Sequence, residues 1–436
     1  MSRKPRILTT NPNPNTCILI EKAREAGYEL IIANAYDTGR CPVKLLADEH
    51  YEVDASDTAA IAALAKEQHI DGIFTTDSDA HLRFYADICA ATGFHAYCTK
   101  EQIRAISDKL CFKENCRRFG LNVTPEYPLP EKESELSAWV EGLRYPVIVK
   151  APDNSGGSKG MSVVYHKEEM PAALRLAKAN SPTGSVIVEH YFIGDEFVVN
   201  YFFIDGEPYL LYTKDYCKGL ENGQVLRDNA MISPSCYEDL LLQKGDLKLR
   251  EMLREVGPRY GIIFMQCFVE DGELYFFEGG CRAGGIDEYL LWERLYGIDF
   301  IKLLLRFSLT GNYGSADEVE TLKKTLLRRE QREHLSVLNV MAKPGTIAGV
   351  SGVEKVQGLR GVLAATLLHG EGYEIAADGT SGRIVLRAML AAGSAAEYLA
   401  LIEKIYGNLR FTGTAGEELL DPPLRLAHWV ERTKLA

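Results

Sequence analysis

"YPVIVKAPDNSGGSKGMSVVYH", residues 145–166, runs from an apolar strand through glycines into a second apolar strand and carries Lys150 and Lys159. It lacks the Gly-Lys-Ser/Thr ending and following helix of the common phosphate loop. Nor does it match the G-x-G-x-x-G dinucleotide fingerprint. Glycines without Cβ let backbone N–H groups approach phosphate oxygens closely, and lysine adds positive charge. A lone glycine hairpin is more often an ordinary surface turn, so its meaning rests on its neighbours.

Three neighbouring features fall in a fixed order around it. Upstream, "ISDKLCFK" (106–113) offers Lys109 and Lys113. Downstream, "VIVEHYFIGDEFVVNYFF" (186–203) closes one strand at Glu189 and opens another at Glu196. Carboxylates at both ends of so short a link suit the amine and hydroxyl groups of a nucleoside. Last comes "IIFMQCFVEDGELYFFEGGCRAGG" (262–285), a hairpin in which Glu278 ends an apolar strand. An ionised carboxylate in that setting needs a cation. Arg282 could supply it as an ion pair; Mg²⁺ shared with Gln266 is the alternative. A three-residue loop, 270–272, puts Gln266 and Glu278 on one face, whereas a two-residue loop at 271–272 puts them on opposite faces. Two oxygen ligands suit Mg²⁺, which completes its shell with water and phosphate.

The rest of the chain bounds the answer. Its 436 residues carry a net charge of −12, which argues against nucleic acid as a partner. Ten cysteines occur without any C-x-x-C, as expected of single thiols in a reducing compartment. No signal peptide and no apolar stretch of membrane-spanning length is found, so a soluble cytoplasmic protein is expected. The first hundred residues alternate strand and helix signals: "RILTT" (6–10), "TCILIEKAREAGYELIIA" (16–33), "TAAIAALAKEQ" (58–68) and "DGIFTT" (71–76). That rhythm predicts an α/β, doubly wound parallel sheet over 1–104. Residues 105–319 read as α+β with antiparallel hairpins. The charged stretch 320–334 is the linker candidate, and 335–436 reads as a Gly-rich α+β region.

Taken together the four features resemble the ATP-grasp superfamily, over most of the chain and most specifically between residues 107 and 285. The resemblance implies a pre-ATP-grasp domain, a two-subdomain ATP-grasp fold and a C-terminal α+β domain similar to that of bacterial L-amino-acid ligases. It implies ATP and Mg²⁺ (or Mn²⁺) as cofactors, with small-molecule carboxylate and amine substrates, no nucleic acid, no membrane, and a homodimer as one assembly. Lys109 and Lys150 would meet the nucleotide phosphates, beneath backbone from Ser155, Gly156, Gly157, Ser158 and Gly160. Glu189, His190, Tyr191 and Phe192 would line the adenine edge, and Glu196 would take the ribose hydroxyls. Gln266 and Glu278 would hold metal, with Arg282 facing the reacting phosphoryl and acyl groups. Arg227, Gly284 and Gly285 are candidates for substrate contact.

The expected activity is ligation of a carboxylate, such as an amino acid, to an amine through an acyl phosphate. Alternatives are a carbamoyl-phosphate-type or purine-intermediate ligase and a non-catalytic ATP-binding protein. The family's first metal ligand is usually Glu, where this chain has Gln266, as carbamoyl-phosphate synthetase large subunits also do. A Glu placed at 266 is therefore expected to be tolerated. Its usual Asn is replaced by Gly280, a small residue that amino-acid ligases of the superfamily also accept there.

Overall fold

The computed structural model describes residues 3–13, 16–75, 78–151, 160–221, 224–284, 288–328, 330–376, 381–423 and 426–433. Strands β1 (Arg6–Thr9), β2 (Glu29–Asn34), β3 (Glu49–Glu52) and β4 (Gly72–Phe74) form a parallel sheet of order β3-β2-β1-β4. Ile7, Leu8, Leu30, Ile31 and Ile32 are fully buried. Consecutive buried residues mark a strand covered on both faces, here by α1 (Thr16–Glu25), by α3 (Asp79–Thr92) with α2 (Thr58–Glu67) packed against it, and by the later helix Phe300–Thr310. The predicted doubly wound sheet is present. Its order reverses between β1 and β4, so their carboxyl ends flank a crevice.

Helices α4 (Lys100–Ser107) and α5 (Lys109–Arg118) follow, meeting at Asp108. The Asp108 carboxylate caps α5 by accepting from the Leu110 and Cys111 N–H groups, which fixes Lys109 as the first helical residue. A small antiparallel sheet of order β6-β5-β7 comes next, from β5 (Val147–Lys150), β6 (Ser162–Val164) and β7 (Ile187–His190). It has its own core around Val147, Val149, Val164, Met170 and Val188.

The body of the molecule is one eight-stranded antiparallel sheet. It uses β8 (Asp195–Ile204), β9 (Glu207–Glu221), β10 (Gln224–Ser233), β11 (Gly261–Glu270) and β12 (Glu273–Gly280). Later in the chain come β13 (His334–Met341), β14 (Gly345–Ser351), β15 (Val362–Leu367), β16 (Glu374–Ile375), β17 (Ile384–Ala392) and β18 (Arg410–Gly413). The large sheet has the order β12-β11-β8-β9-β10-β13-β17-β15, and β16-β14-β18 form a separate small sheet. The C-terminal strands thus continue the central sheet through the β10–β13 pair. The charged stretch 320–334 lies partly in a helix, Ala316–Leu327, that buries Val319, Leu322 and Leu326.

The β11–β12 hairpin resolves the parity question in an unforeseen way. Glu270 pairs with Glu273, so the loop has two residues, and Asp271 and Gly272 both have positive φ, 52° and 72°. That is the turn expected to separate Gln266 from Glu278. A bulge intervenes, however: Cys267 pairs with Phe276 but Gln266 pairs with Glu278, leaving Phe277 as the extra residue. The bulge restores the parity, and Gln266 and Glu278 lie directly opposite on one face.

Candidate active site

Pairing across the large sheet builds the site as rows of side chains. Glu278 on β12 faces Gln266 on β11, which faces Val198 on β8, which faces Lys214 on β9. Directly opposed residues of antiparallel strands share a face. The row therefore carries a carboxylate, an amide, an apolar step and an ammonium over roughly 14 Å, three inter-strand spacings.

At one end, Lys109 Nζ lies 3.7 Å from Glu278 Oε2. Gln266 Nε2 donates to Glu196 Oε1 at 3.0 Å. A carboxylate can only accept, so this bond turns the amide nitrogen toward Glu196 and leaves Oε1 as the group for a cation. Glu196 is buried, and Lys218 pairs with its other oxygen. The Glu278 carboxylate and Gln266 amide oxygen, opposed on adjacent strands, are a hard-oxygen donor set that fits Mg²⁺. Among the described residues no group of three His, Cys, Asp or Glu side chains forms a closed metal cage. Such a site depends on phosphate oxygens for completion.

A second cluster joins the small sheet to the body. Glu189 is buried, and each of its oxygens takes one lysine: Lys113 on Oε1 and Lys150 on Oε2, the latter at 2.6 Å. Lys113 also reaches Glu126 at 3.0 Å and is 1% exposed. Burial pushes the Lys150 ammonium below the usual lysine range; Glu189 opposes this, and the cations Lys113 and Lys109 reinforce it. Lys113 lies one helical turn beyond Lys109, so α5 touches both ends of the cluster. Its importance was not legible from sequence, where a second Lys on a helix reads as a solvated charge.

The link from β7 to β8 is held by backbone and rings. His190 N–H donates to Pro125 O at 2.9 Å and Tyr191 N–H to Pro146 O at 3.1 Å. Phe192 packs among Phe268, Tyr275 and His190, with ring centroids at 5.2, 4.8 and 4.7 Å. Tyr191 meets Tyr165 edge-on at 6.5 Å.

Arg282 pairs with Asp79 rather than with Glu278, the simple ion pair considered from sequence. Its Nε and one terminal nitrogen each donate to Asp79 at 2.9 Å, and its guanidinium lies 4.6 Å over the Phe264 ring. Asp79 opens α3 just after β4, so the crevice edge of the parallel sheet supplies Arg282's anchor. A carboxylate 203 residues away could not be assigned from spacing. Phe264 also explains Gly280. A Cβ there would lie 2.9 Å from Phe264 Cζ and nearer still to Cε1, so the ring occupies the space an Asn would need.

Gly160 adopts φ 75°, where a Cβ would meet Asn180. Ser155, Gly156, Gly157, Ser158 and Gly285 lie outside the described residues. Arg227 lies on β10. Gly284 is exposed and sits against the carboxylate of Glu288, the first residue of the helix Glu288–Tyr296.

Comparison with known proteins places this geometry. Residues 108–198 match the family model "Carbamoyl-phosphate synthase L chain, ATP binding domain". A biotin carboxylase of Pseudomonas aeruginosa is 27% identical over 216 residues, 48% of this chain and 47% of that protein. The chain spans about half the length, or less, of the curated relatives it matches. An L-amino acid ligase from Bacillus licheniformis superposes with TM-score 0.76 at 17% identity, over 95% of this chain and 100% of that one. The biotin carboxylase domain of Hydrogenobacter thermophilus 2-oxoglutarate carboxylase, described with MgADP, ADP and bicarbonate, gives 0.74 at 17%, over 96% and 92%. No described helix is long and apolar enough to cross a membrane. The matched segment carries Lys109, Lys150, Glu189 and Glu196, so residues 108–198 are similar to that ATP-binding family, and the two-sheet architecture around them has the fold of these solved structures.

Proposed function

We propose that this protein is an ATP-dependent ligase that joins a carboxylate, an amino acid or related acid, to an amine through an acyl phosphate. The observation that carries this reading is the direct opposition of Glu278 and Gln266 on one face, with Lys109 beside Glu278 and Lys150 held by Glu189. Phosphoryl transfer needs positioning and charge neutralisation rather than a protein nucleophile. Lys109 and Lys150 provide fixed cations for the nucleotide phosphates. Glu278 and Gln266 would hold Mg²⁺, which when bound neutralises phosphate charge.

A carboxylate oxygen of the acid attacks the γ-phosphorus, and the bond to ADP breaks. The amine then attacks the acyl carbon, inorganic phosphate leaves, and the nitrogen loses its proton. Arg282, oriented by Asp79, is assigned to the negative charge that develops at the acyl centre. Phosphate release from ATP over a panel of acid and amine pairs tests the proposal. Glu278→Gln should retain the fold and lose most turnover. Gln266 keeps a bicarbonate-using reaction in the panel, because carbamoyl-phosphate-type enzymes share that residue. ATP binding without ADP formation from any pair, or from bicarbonate, would leave a nucleotide-binding protein instead.

A further inference from the structure

At neutral pH an amine reaches an acyl phosphate as its ammonium form, and a proton must leave before the nitrogen can attack. Glu278 is assigned to the metal, and Arg282 is a permanent cation that cannot accept the proton. The carboxylate in contact with Arg282 is Asp79, whose Oδ1 and Oδ2 each take one guanidinium nitrogen at 2.9 Å. An ionised carboxylate has about four acceptor sites, so each oxygen keeps one for a further donor. The Asp79 side chain is 32% exposed against 16% for Arg282, so a ligand reaches it from solvent. Arg282 also brings Asp79 near the Gln266–Glu278 pair. Phe264, over which Arg282 lies, is two residues along β11 from Gln266 on the same face, one step of roughly 7 Å.

Asp79 stands at the crevice of the parallel sheet, and the crevice carries a second sign of a polar ligand. β1 and β4 are paired up to Thr9 and Phe74, so Thr10 and Thr75 leave the sheet side by side at its carboxyl edge. Both are buried, at 0% and 3% exposure, and neither hydroxyl has a hydrogen-bond partner. Thr75 and Arg282 line one cavity, together with Tyr97 and Tyr289. Buried hydroxyls left unpaired cost free energy, and a ligand that pairs them recovers it. A threonine oxygen has lone pairs to accept from an ammonium N–H.

We infer that Asp79 receives the amine substrate as its ammonium ion and takes the first of its protons, with the Thr10 and Thr75 hydroxyls beside it. The inference rests on the ligase reading and adds to it the residue that activates the nucleophile. One N–H proton passes to an Asp79 oxygen, and the freed lone pair forms the bond to the acyl carbon. The C–O bond to phosphate then breaks and its electron pair leaves with the phosphate. A second N–H proton goes with it, giving hydrogen phosphate and the amide, and Asp79 returns its proton to water. One carboxylate thus orients Arg282 and activates the amine.

Hydroxylamine separates the two roles, because it is uncharged at neutral pH and needs no base to free its lone pair. It traps an acyl phosphate formed from ATP and the acid as a hydroxamate. In Asp79→Asn, Arg282 keeps an oxygen to donate to, so hydroxamate formation should fall by about tenfold or less. Amide formation with an alkylamine or amino-acid acceptor should fall by about a hundredfold or more, the range of general base catalysis. The ratio of the two rates is the readout. Thr75→Val deletes an unpaired hydroxyl, so it should melt no lower than wild type and raise the amine KM several-fold without moving the ATP KM. It carries the test if Asp79→Asn fails to fold. Equal loss of both products in Asp79→Asn reduces Asp79 to a positioning residue for Arg282 and overturns the inference, as does an unchanged amine KM in Thr75→Val. Wild-type protein that forms no hydroxamate from any acid defeats the ligase reading, and the inference falls with it.

Discussion

Gln266 illustrates how one contact changes an expectation. From sequence, a Glu there should be tolerated, since Glu is the family's usual ligand. In the folded chain its amide nitrogen donates to Glu196 at 3.0 Å. A carboxylate at 266 would lose that donor and face a like charge. Gln266→Glu is therefore expected to raise the ATP KM by about tenfold. Gln266→Leu should weaken the Mg²⁺ dependence, and identical Mg²⁺ titrations for Leu and wild type would remove Gln266 from the metal site. On the opposite face of β9, Asp215 is buried, and burial pushes its carboxyl up to about 6 despite bonds from Ser235 and the Cys236 N–H. Its unfolded value is near 3.8, so the folded state holds the proton over a range where the unfolded state has lost it. Stability should fall by about 2 kcal/mol as pH rises from 4 to 6 through this group alone. Asp215→Asn cannot ionise and should gain on wild type by that amount in urea unfolding across the same range. Parallel curves would place the titration elsewhere.

At the scale of elements, α5 does two jobs from one capped start. Its first residue, Lys109, meets Glu278 on β12, and Lys113 braces the buried Glu189 of the small sheet. Lys113→Met leaves Glu189 with Lys150 and Glu126 with Arg117. The destabilisation should therefore be about 2–3 kcal/mol, at the low end for breaking a buried pair. ATP KM should rise with it, because Glu189 positions Lys150; an unchanged KM beside a lowered urea midpoint would reduce Lys113 to a structural role. The end of β12 carries a different constraint. Gly280→Asn, which restores the family's usual residue, must displace the Phe264 ring from under Arg282. A loss of about 1–3 kcal/mol in thermal or urea unfolding is expected from that overpacking. A neutral effect would mean that the ring can move aside.

Across the whole molecule, the central sheet couples regions that the sequence reading separates. β13 pairs along β10 from Ala230 to Ser233, and Cys217, Ala230 and Ile232 belong to the same apolar core as Leu338, Val385 and Tyr398. A chain ending at Glu333 would expose the β10 edge and strip Cys217, Ala230 and Ile232 of the apolar residues that cover them. Unpaired strand edges template association. Such a truncation is expected to be aggregated in gel filtration, and a monodisperse 1–333 fragment with native circular dichroism would contradict it.

The order of the motifs, the alternation of the first hundred residues and the period-2 patterning of the later ones were enough, by themselves, to place the fold class and the candidate nucleotide residues. Those signals are local: a strand's burial pattern and a helix's capping residue are written within a few positions. Tertiary structure alone decided which charges meet. Asp79 anchors Arg282, Lys113 serves Glu189 rather than solvent, and Lys214 finds Glu288, each partner distant in sequence. It also decided the parity of the Gln266–Glu278 pair, where a single bulged residue at Phe277 undid what the two-residue turn implied. Spacing carries no information about such pairs, because they are set by how sheets and helices stack once their apolar faces are buried.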